Sequence, residues 1–149
     1  MIDRAHIGRT WEPWEVEVEK GRLKLLAKAI GETRPIYTDE AAAKAAGYRS
    51  ILGPPTLPYC LLTDSPIGQR YLTDIGIPTE RMLLAEVEIA CHDVICAGDR
   101  IRVTRRVADI LVKKGGALEL VVFECEFTNC ADGALVATTR NLMAVKNVQ

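Results

Sequence analysis

No apolar run in this 149-residue sequence approaches the roughly 20 residues that a membrane-spanning helix needs, so no such span is expected. Neither sign of charge is in excess. The net charge of −1 gives no strong pull toward nucleic acid or an anionic membrane surface. The first residues, Met1 to Gly8, lack a basic stretch followed by an apolar one, so no secretory signal is read and a cytoplasmic location is the simplest expectation. The five cysteines are an odd number in a chain without such a signal, which argues against a disulfide framework. Repeats, low-complexity tracts and linkers are absent too. What is present is ordinary for a globular protein: 48% hydrophobic and 26% charged residues, in a chain long enough to bury a core as one domain over residues 1–149.

The patterning divides into a helical first half and a strand-rich second half. From Thr10 to Val18, Trp14, Val16 and Val18 alternate with Glu15, Glu17 and Glu19, a half-buried strand that Pro13 places at an edge or a strand start. Leu23, Leu26, Ala27 and Ile30 then share one helical face, and Leu25 and Ala29 widen it, which predicts a deeply buried helix. Gly31 suits the left-handed position after a helix, and Pro35 stops continuation. A second helix is expected with Thr38 as N-cap, Asp39 and Glu40 in the first turn and its end at Gly47. Pro54-Pro55 imposes extended backbone; a third short helix over Thr56 to Leu62 and an irregular stretch over Thr63 to Arg81 follow.

Strands are expected over Leu84–Cys96, Arg100–Val112, Leu118–Asn129 and Leu135–Val145. In the second, the apolar parity of Ile101, Val103 and Val107 switches to that of Ile110 and Val112, which predicts a bulge. Val121, Phe123, Cys125 and Phe127 mark one face of the third. Turns at Lys113–Gly116 and Asp132-Gly133 make an antiparallel meander. A sheet of this kind beside a long apolar helix is α+β, with the curved sheet wrapped around the helix. The edge strand such a meander leaves makes a dimer the default expectation.

Cys91 with Cys96 and Cys125 with Cys130 share one spacing, and His92 lies beside the first pair. Residues five apart on a regular strand point to opposite faces, so these are read as buried apolar cysteines rather than metal ligands. Trp11 and Trp14 are read as core or interface anchors. His6 and His92 are read as surface or structural residues, and Asp64, Asp74, Asp93 and Asp99 as turn or surface acids. Arg102, Arg105 and Arg106 could meet phosphates of coenzyme A or of an acyl-carrier phosphopantetheine; a solvated sheet face is the preferred reading.

Two segments carry a family resemblance: Ala29-Ile-Gly-Glu-Thr-Arg-Pro-Ile-Tyr-Thr-Asp-Glu40 and Ala45-Ala-Gly-Tyr-Arg-Ser-Ile-Leu-Gly-Pro-Pro-Thr56. Both resemble the N-terminal, FAS1-like dehydratase domain of the MaoC-like superfamily, with weaker support from Val94–Arg100, Lys113–Gly116 and Thr128–Gly133. The resemblance implies the hotdog fold. It also implies hydration of a trans-2-enoyl thioester, or its reverse on an (R)-3-hydroxyacyl thioester, with no cofactor and no metal. In that family the turn reads Gly-Asp-x-Asn-Pro-x-His, and the Asp and His handle the water and the proton.

Here Glu32 stands in the place of the Asp, Arg34 in that of the Asn and Tyr37 in that of the His. Glu32 carries an extra methylene, and a phenol, titrating at roughly 10, is a poor base at neutral pH. Arg34 is placed to hold Glu32 ionised. The thioester oxygen would be polarised from around Gly53 to Thr56, but Pro54 and Pro55 have no N–H to offer. Glu32 and Tyr37 are therefore the candidate catalytic pair, and Arg34, Pro35, Gly53, Pro54, Pro55 and Thr56 the candidate substrate-binding residues.

Three functions follow from the resemblance. The leading one is a hotdog subunit of a hydratase or dehydratase, non-catalytic or weakly catalytic, that shapes the acyl pocket beside an Asp/His-bearing partner. The second is a homodimeric enoyl-CoA hydratase using Glu32 and Tyr37. The third is an acyl-thioester binding protein without catalysis. The partners implied are an acyl-CoA or acyl-carrier-protein thioester and a second hotdog chain, with neither nucleic acid nor membrane.

Overall fold

A computed structural model describes residues 1–147. Five strands, β1 (Trp14–Glu17), β2 (Met82–Cys91), β3 (Arg100–Lys113), β4 (Leu118–Asn129) and β5 (Leu135–Lys146), form one antiparallel sheet in the order β1-β3-β4-β5-β2. Helices α1 (Lys20–Ala29), α2 (Glu40–Ala45), α3 (Leu57–Leu61) and α4 (Arg70–Thr73) occupy the first half of the chain. No described helix is long and apolar enough to cross a membrane.

The parity switch in β3 is a bulge: the register with β4 shifts between Val107 and Asp109, so Val107 and Ile110 both end fully buried. The face predicted for β4 is the core face, with Val121, Phe123, Cys125 and Phe127 all buried. The Lys113–Gly116 and Asp132-Gly133 turns join β3, β4 and β5 as hairpins. β2 departs from the expected meander. It ends at Cys91, five residues short of the boundary read from sequence, and pairs with β5 rather than with β3. The chain from Asp93 to Asp99 carries it across the sheet instead of turning back in a hairpin.

One half of the core lies under α1 and α3, where Leu23, Leu57 and Leu61 meet Ile101, Val103, Phe127 and Val136. The other half lies under the 70–82 segment, where Leu72, Ile75 and Ile77 meet Val107, Ile110, Phe123 and Met143. The helix α1 is less enclosed than its composition suggests. Leu23 and Ala27 are buried, but Leu25 is 68% and Ile30 52% exposed, so a single stripe faces the sheet. Gly31 takes a positive φ of 72° at its end, as predicted. The N-cap of α2 is Asp39 rather than Thr38. Its carboxylate accepts from Ala41 N–H at 2.8 Å and Ala42 N–H at 3.1 Å, a geometry that needs the cap one residue before Glu40.

The cysteines divide: Cys96 and Cys125 are buried, while Cys91 and Cys130 are exposed because each lies at or beyond a strand end. Among the described residues no three His, Cys, Asp or Glu side chains are placed to hold a metal ion. Trp14 is buried and Trp11 packs against Tyr71 and Phe123. The arginine run is not a uniform solvated face. Arg102 and Arg106 are exposed, and Arg106 pairs with Glu124 across the hairpin, but strand alternation turns Arg105 inward, where it is 4% exposed.

Candidate functional site

The candidate turn is built by the end of α1. Glu32 N–H donates to Ala27 O at 2.9 Å, which closes the helix and fixes where Glu32 emerges. Pro35 then starts a single 3-10 turn, Pro35–Tyr37, in which Tyr37 N–H reaches Arg34 O at 3.1 Å. This turn brings Glu32, Arg34 and Tyr37 to one side. Arg34 grips the Glu32 carboxylate from several directions: its backbone N–H lies 2.9 Å from Oε1, its Nε 3.0 Å from Oε1 and 3.1 Å from Oε2, and its Nη2 2.6 Å from Oε2. The same Nη2 stands 3.5 Å from the Tyr37 hydroxyl, and the guanidinium lies 5.0 Å from the Tyr37 ring centre. Hydrogen bonds from the Arg34 side chain and backbone lower the Glu32 pKa to about 2. A carboxylate that acidic is a weak base at neutral pH.

Tyr37 points inward and packs with Ala27, Leu52 and Cys96. It forms one wall of a small cleft of about 110 Å³, together with Gly53, Pro54 and Pro55. The segment from Ile51 to Gly53 is held there by strand-like pairing with the chain after β2: Gly53 N–H donates to Ile95 O at 2.7 Å and Ala97 N–H to Ile51 O at 2.9 Å. Arg49 locks the same junction by two contacts to Asp99, at 2.8 and 2.7 Å, while Asp99 accepts from Cys96 N–H at 2.8 Å. Gly53 is favoured at its position because a Cβ there would stand 2.3 Å from Leu57 Cδ2, whose side chain would have to shift.

The structure thus brings Tyr37, Gly53, Pro54 and Pro55 onto one cleft and links Glu32 to Tyr37 through Arg34. Thr56 is exposed at the start of α3, where its side chain makes no capping bond, and Pro35 serves as the first residue of the turn; neither lines the cleft. The Gly53 N–H, a candidate donor to a thioester oxygen, is already taken by Ile95 O.

Two cleft residues escaped the reading from sequence. Cys91, whose thiol lies 3.6 Å from Pro55 O, and Asp93, which accepts from Val94 N–H at 2.7 Å, stand opposite Tyr37. Both come from the far end of β2 or just beyond it, distant from Tyr37 along the chain, and no local pattern announces that crossing. His92 lies next to them, 3.5 Å from Thr138 Oγ1.

Residues 5–139 match the family model of the FAS1-like dehydratase domain region. A UPF0336 protein of Saccharopolyspora erythraea is 30% identical over 148 residues, covering 97% of this chain and 92% of that protein. Among solved structures, the C-terminally truncated HadBC (3R-hydroxyacyl-ACP dehydratase) complex of Mycobacterium tuberculosis superposes with a TM-score of 0.81 at 20% identity, over 93% of this chain and 96% of the other. The ChsH1-ChsH2 complex of the same organism gives a TM-score of 0.65 at 18% identity, over 94% and 98%. The fold these structures share is the hotdog expected from the two sequence segments, and the chain belongs to the FAS1-like dehydratase domain family.

Proposed function

We propose that this chain is a hotdog subunit of an (R)-specific 3-hydroxyacyl-thioester dehydratase or enoyl-thioester hydratase, and that it is non-catalytic when alone. Its role is to shape the acyl pocket beside a partner chain that carries the catalytic Asp and His. The observation that supports this most is the Glu32–Arg34 pair. A general base must have a pKa near the working pH and a free lone pair facing the substrate. Glu32 has a pKa lowered to about 2 and both its oxygens engaged by Arg34. The Gly53 N–H is likewise spent on Ile95 O, and Pro54 and Pro55 have none to give. Two structural neighbours are described as complexes, HadBC and ChsH1-ChsH2, which fits an assembly of unlike hotdog chains. The ligand read from the family is an acyl thioester of coenzyme A or of a carrier protein.

The test is an enoyl-thioester hydration assay on the purified chain and on the chain co-expressed with an Asp/His-bearing hotdog partner. The expected result is turnover only in the complex. Robust turnover by the chain alone, abolished by Glu32→Ala or Tyr37→Phe, overturns the reading in favour of a self-sufficient enzyme.

A further inference from the structure

A second cavity, of about 280 Å³, opens on the inner face of the sheet, away from the Glu32–Tyr37 cleft. Its polar wall is formed by Arg105, Asn141, Tyr59 and Tyr71, and Leu72 and Met143 contribute to its apolar wall. Arg105 stands at the centre of the sheet, opposite Cys125 on β4, which in turn faces Thr139 on β5. It is 4% exposed, and its Nη1 is fully buried without a hydrogen-bond partner. It takes part in none of the ion pairs among the described residues. Its guanidinium is stacked 3.7 Å from the Tyr71 ring centre and 5.1 Å from that of Trp14. Asn141, on the same wall, has an Oδ1 that is also buried and unpartnered.

A guanidinium stays charged at any pH a protein meets, so it cannot escape burial by losing a proton. Aromatic stacking offsets part of its desolvation but leaves the in-plane N–H groups of Nη1 unanswered. Buried charges in proteins are otherwise paired, and a cavity that presents one unpaired cation is complementary to one anion. The fork of N–H groups matches the two oxygens of a carboxylate. A single cation does not balance a dianionic phosphate in a largely apolar cavity. The volume is just under the roughly 300–1,000 Å³ of sites for drug-sized ligands, so the occupant is small.

From these observations we infer that the inner cavity is a binding site for a small aliphatic carboxylate. Its head would pair with Arg105 in the plane between Tyr71 and Trp14, and its tail would lie toward Leu72 and Met143. This site is independent of the reading given to Glu32 and Tyr37, since it shares no residue with that turn.

The experiment is a calorimetric titration of the full chain with hexanoate, with hexanamide and with inorganic phosphate, repeated on Arg105→Met. Saturable hexanoate binding at millimolar or tighter Kd is expected, at least tenfold stronger than binding of hexanamide or phosphate, and at least tenfold weaker in Arg105→Met. The wild-type comparison of hexanoate with its uncharged isostere decides the matter even if Arg105→Met fails to fold. Hexanamide binding as tightly as hexanoate would mark a merely apolar cavity and overturn the inference. So would phosphate matching hexanoate, an absence of saturable hexanoate binding, or a folded Arg105→Met that binds hexanoate unchanged.

Discussion

Arg34 holds Glu32 in its charged form down to strongly acidic pH, and that coupling has a signature in stability. The Glu32 pKa is lowered to about 2 in the fold, chiefly by hydrogen bonds from the Arg34 side chain and backbone, whereas an unfolded glutamate titrates at about 4.3. A carboxyl whose folded value is depressed stabilises the fold fully above its unfolded value and loses that contribution as pH falls toward the folded one. Glu32→Gln should therefore lower the melting temperature relative to wild type at pH 6, and the difference should shrink between about pH 4.5 and pH 2. Paired melts across that range check it; a pH-independent difference would mean the pair contributes nothing as a charge. In a reconstituted complex with a catalytic partner, the same substitution should cost less than about tenfold in rate, well short of the roughly 10² to 10⁴ that loss of a general base costs. Arg105 is a different kind of residue. Strand alternation alone puts it inside, yet a cluster of three arginines reads as surface, because in most sequences such runs are solvated.

At the scale of elements, the turn from Leu52 to Leu57 is the most constrained piece of the site. Gly53 admits Leu57 to within van der Waals reach of its own backbone, and a methyl group there would collide with the Leu57 side chain. Gly53→Ala should cost about 1–3 kcal/mol of stability through overpacking, measured by denaturant unfolding. Combined with Leu57→Ala, the penalty should be less than the sum of the two single changes, since the clash then has no partner. Asp39→Ala should cost about 0.5–2 kcal/mol through loss of the α2 cap, whereas Thr38→Ala should cost less, which separates the observed cap from the one the sequence suggested. These elements also indicate what local patterns can carry. The β3 bulge was legible because a parity switch is a one-dimensional record of a one-residue offset. The β4 face was legible because its apolar residues Val121, Phe123, Cys125 and Phe127 keep a single parity. The placement of β2 beside β5 was not, because a short polar break such as Ala97-Gly98-Asp99 serves a crossover as well as a hairpin. The Glu32–Arg34 pair was readable from a spacing of two residues. Cys91 and Asp93 were not, since only the crossover brings them to Tyr37.

For the molecule as a whole, the sheet ends in two unlike edges, and the difference bears on how it assembles. The β1 edge is four residues long, follows Pro13 and carries Glu15 and Glu17, the features that blunt an edge against further pairing. The β2 edge is ten residues long, and Leu83 on it is 74% exposed and Leu84 41% exposed. A long edge with apolar side chains is a template for another strand. Continuation of the sheet through β2 would cover these leucines and join the inner face of this chain to that of a second hotdog. Under the proposed function, that is the geometry by which this chain would line a substrate pocket beside a catalytic partner. Leu25 on α1 and Ile30 at its C-terminal cap are also exposed apolar residues, but a helix bonds its backbone within itself and cannot extend a sheet. If β2 is the assembly edge, Leu83→Lys should weaken association with the partner, or self-association where no partner is present, by at least about tenfold, or 1.4 kcal/mol. Leu25→Lys should leave association within about threefold of wild type, well under that 1.4 kcal/mol. Sedimentation equilibrium on the two variants, each verified as folded by its melt, distinguishes the edges. A Leu25→Lys variant that dissociates while Leu83→Lys stays assembled would move the interface from the sheet edge to the helix, and with it the route by which a partner's residues could reach the Tyr37 cleft.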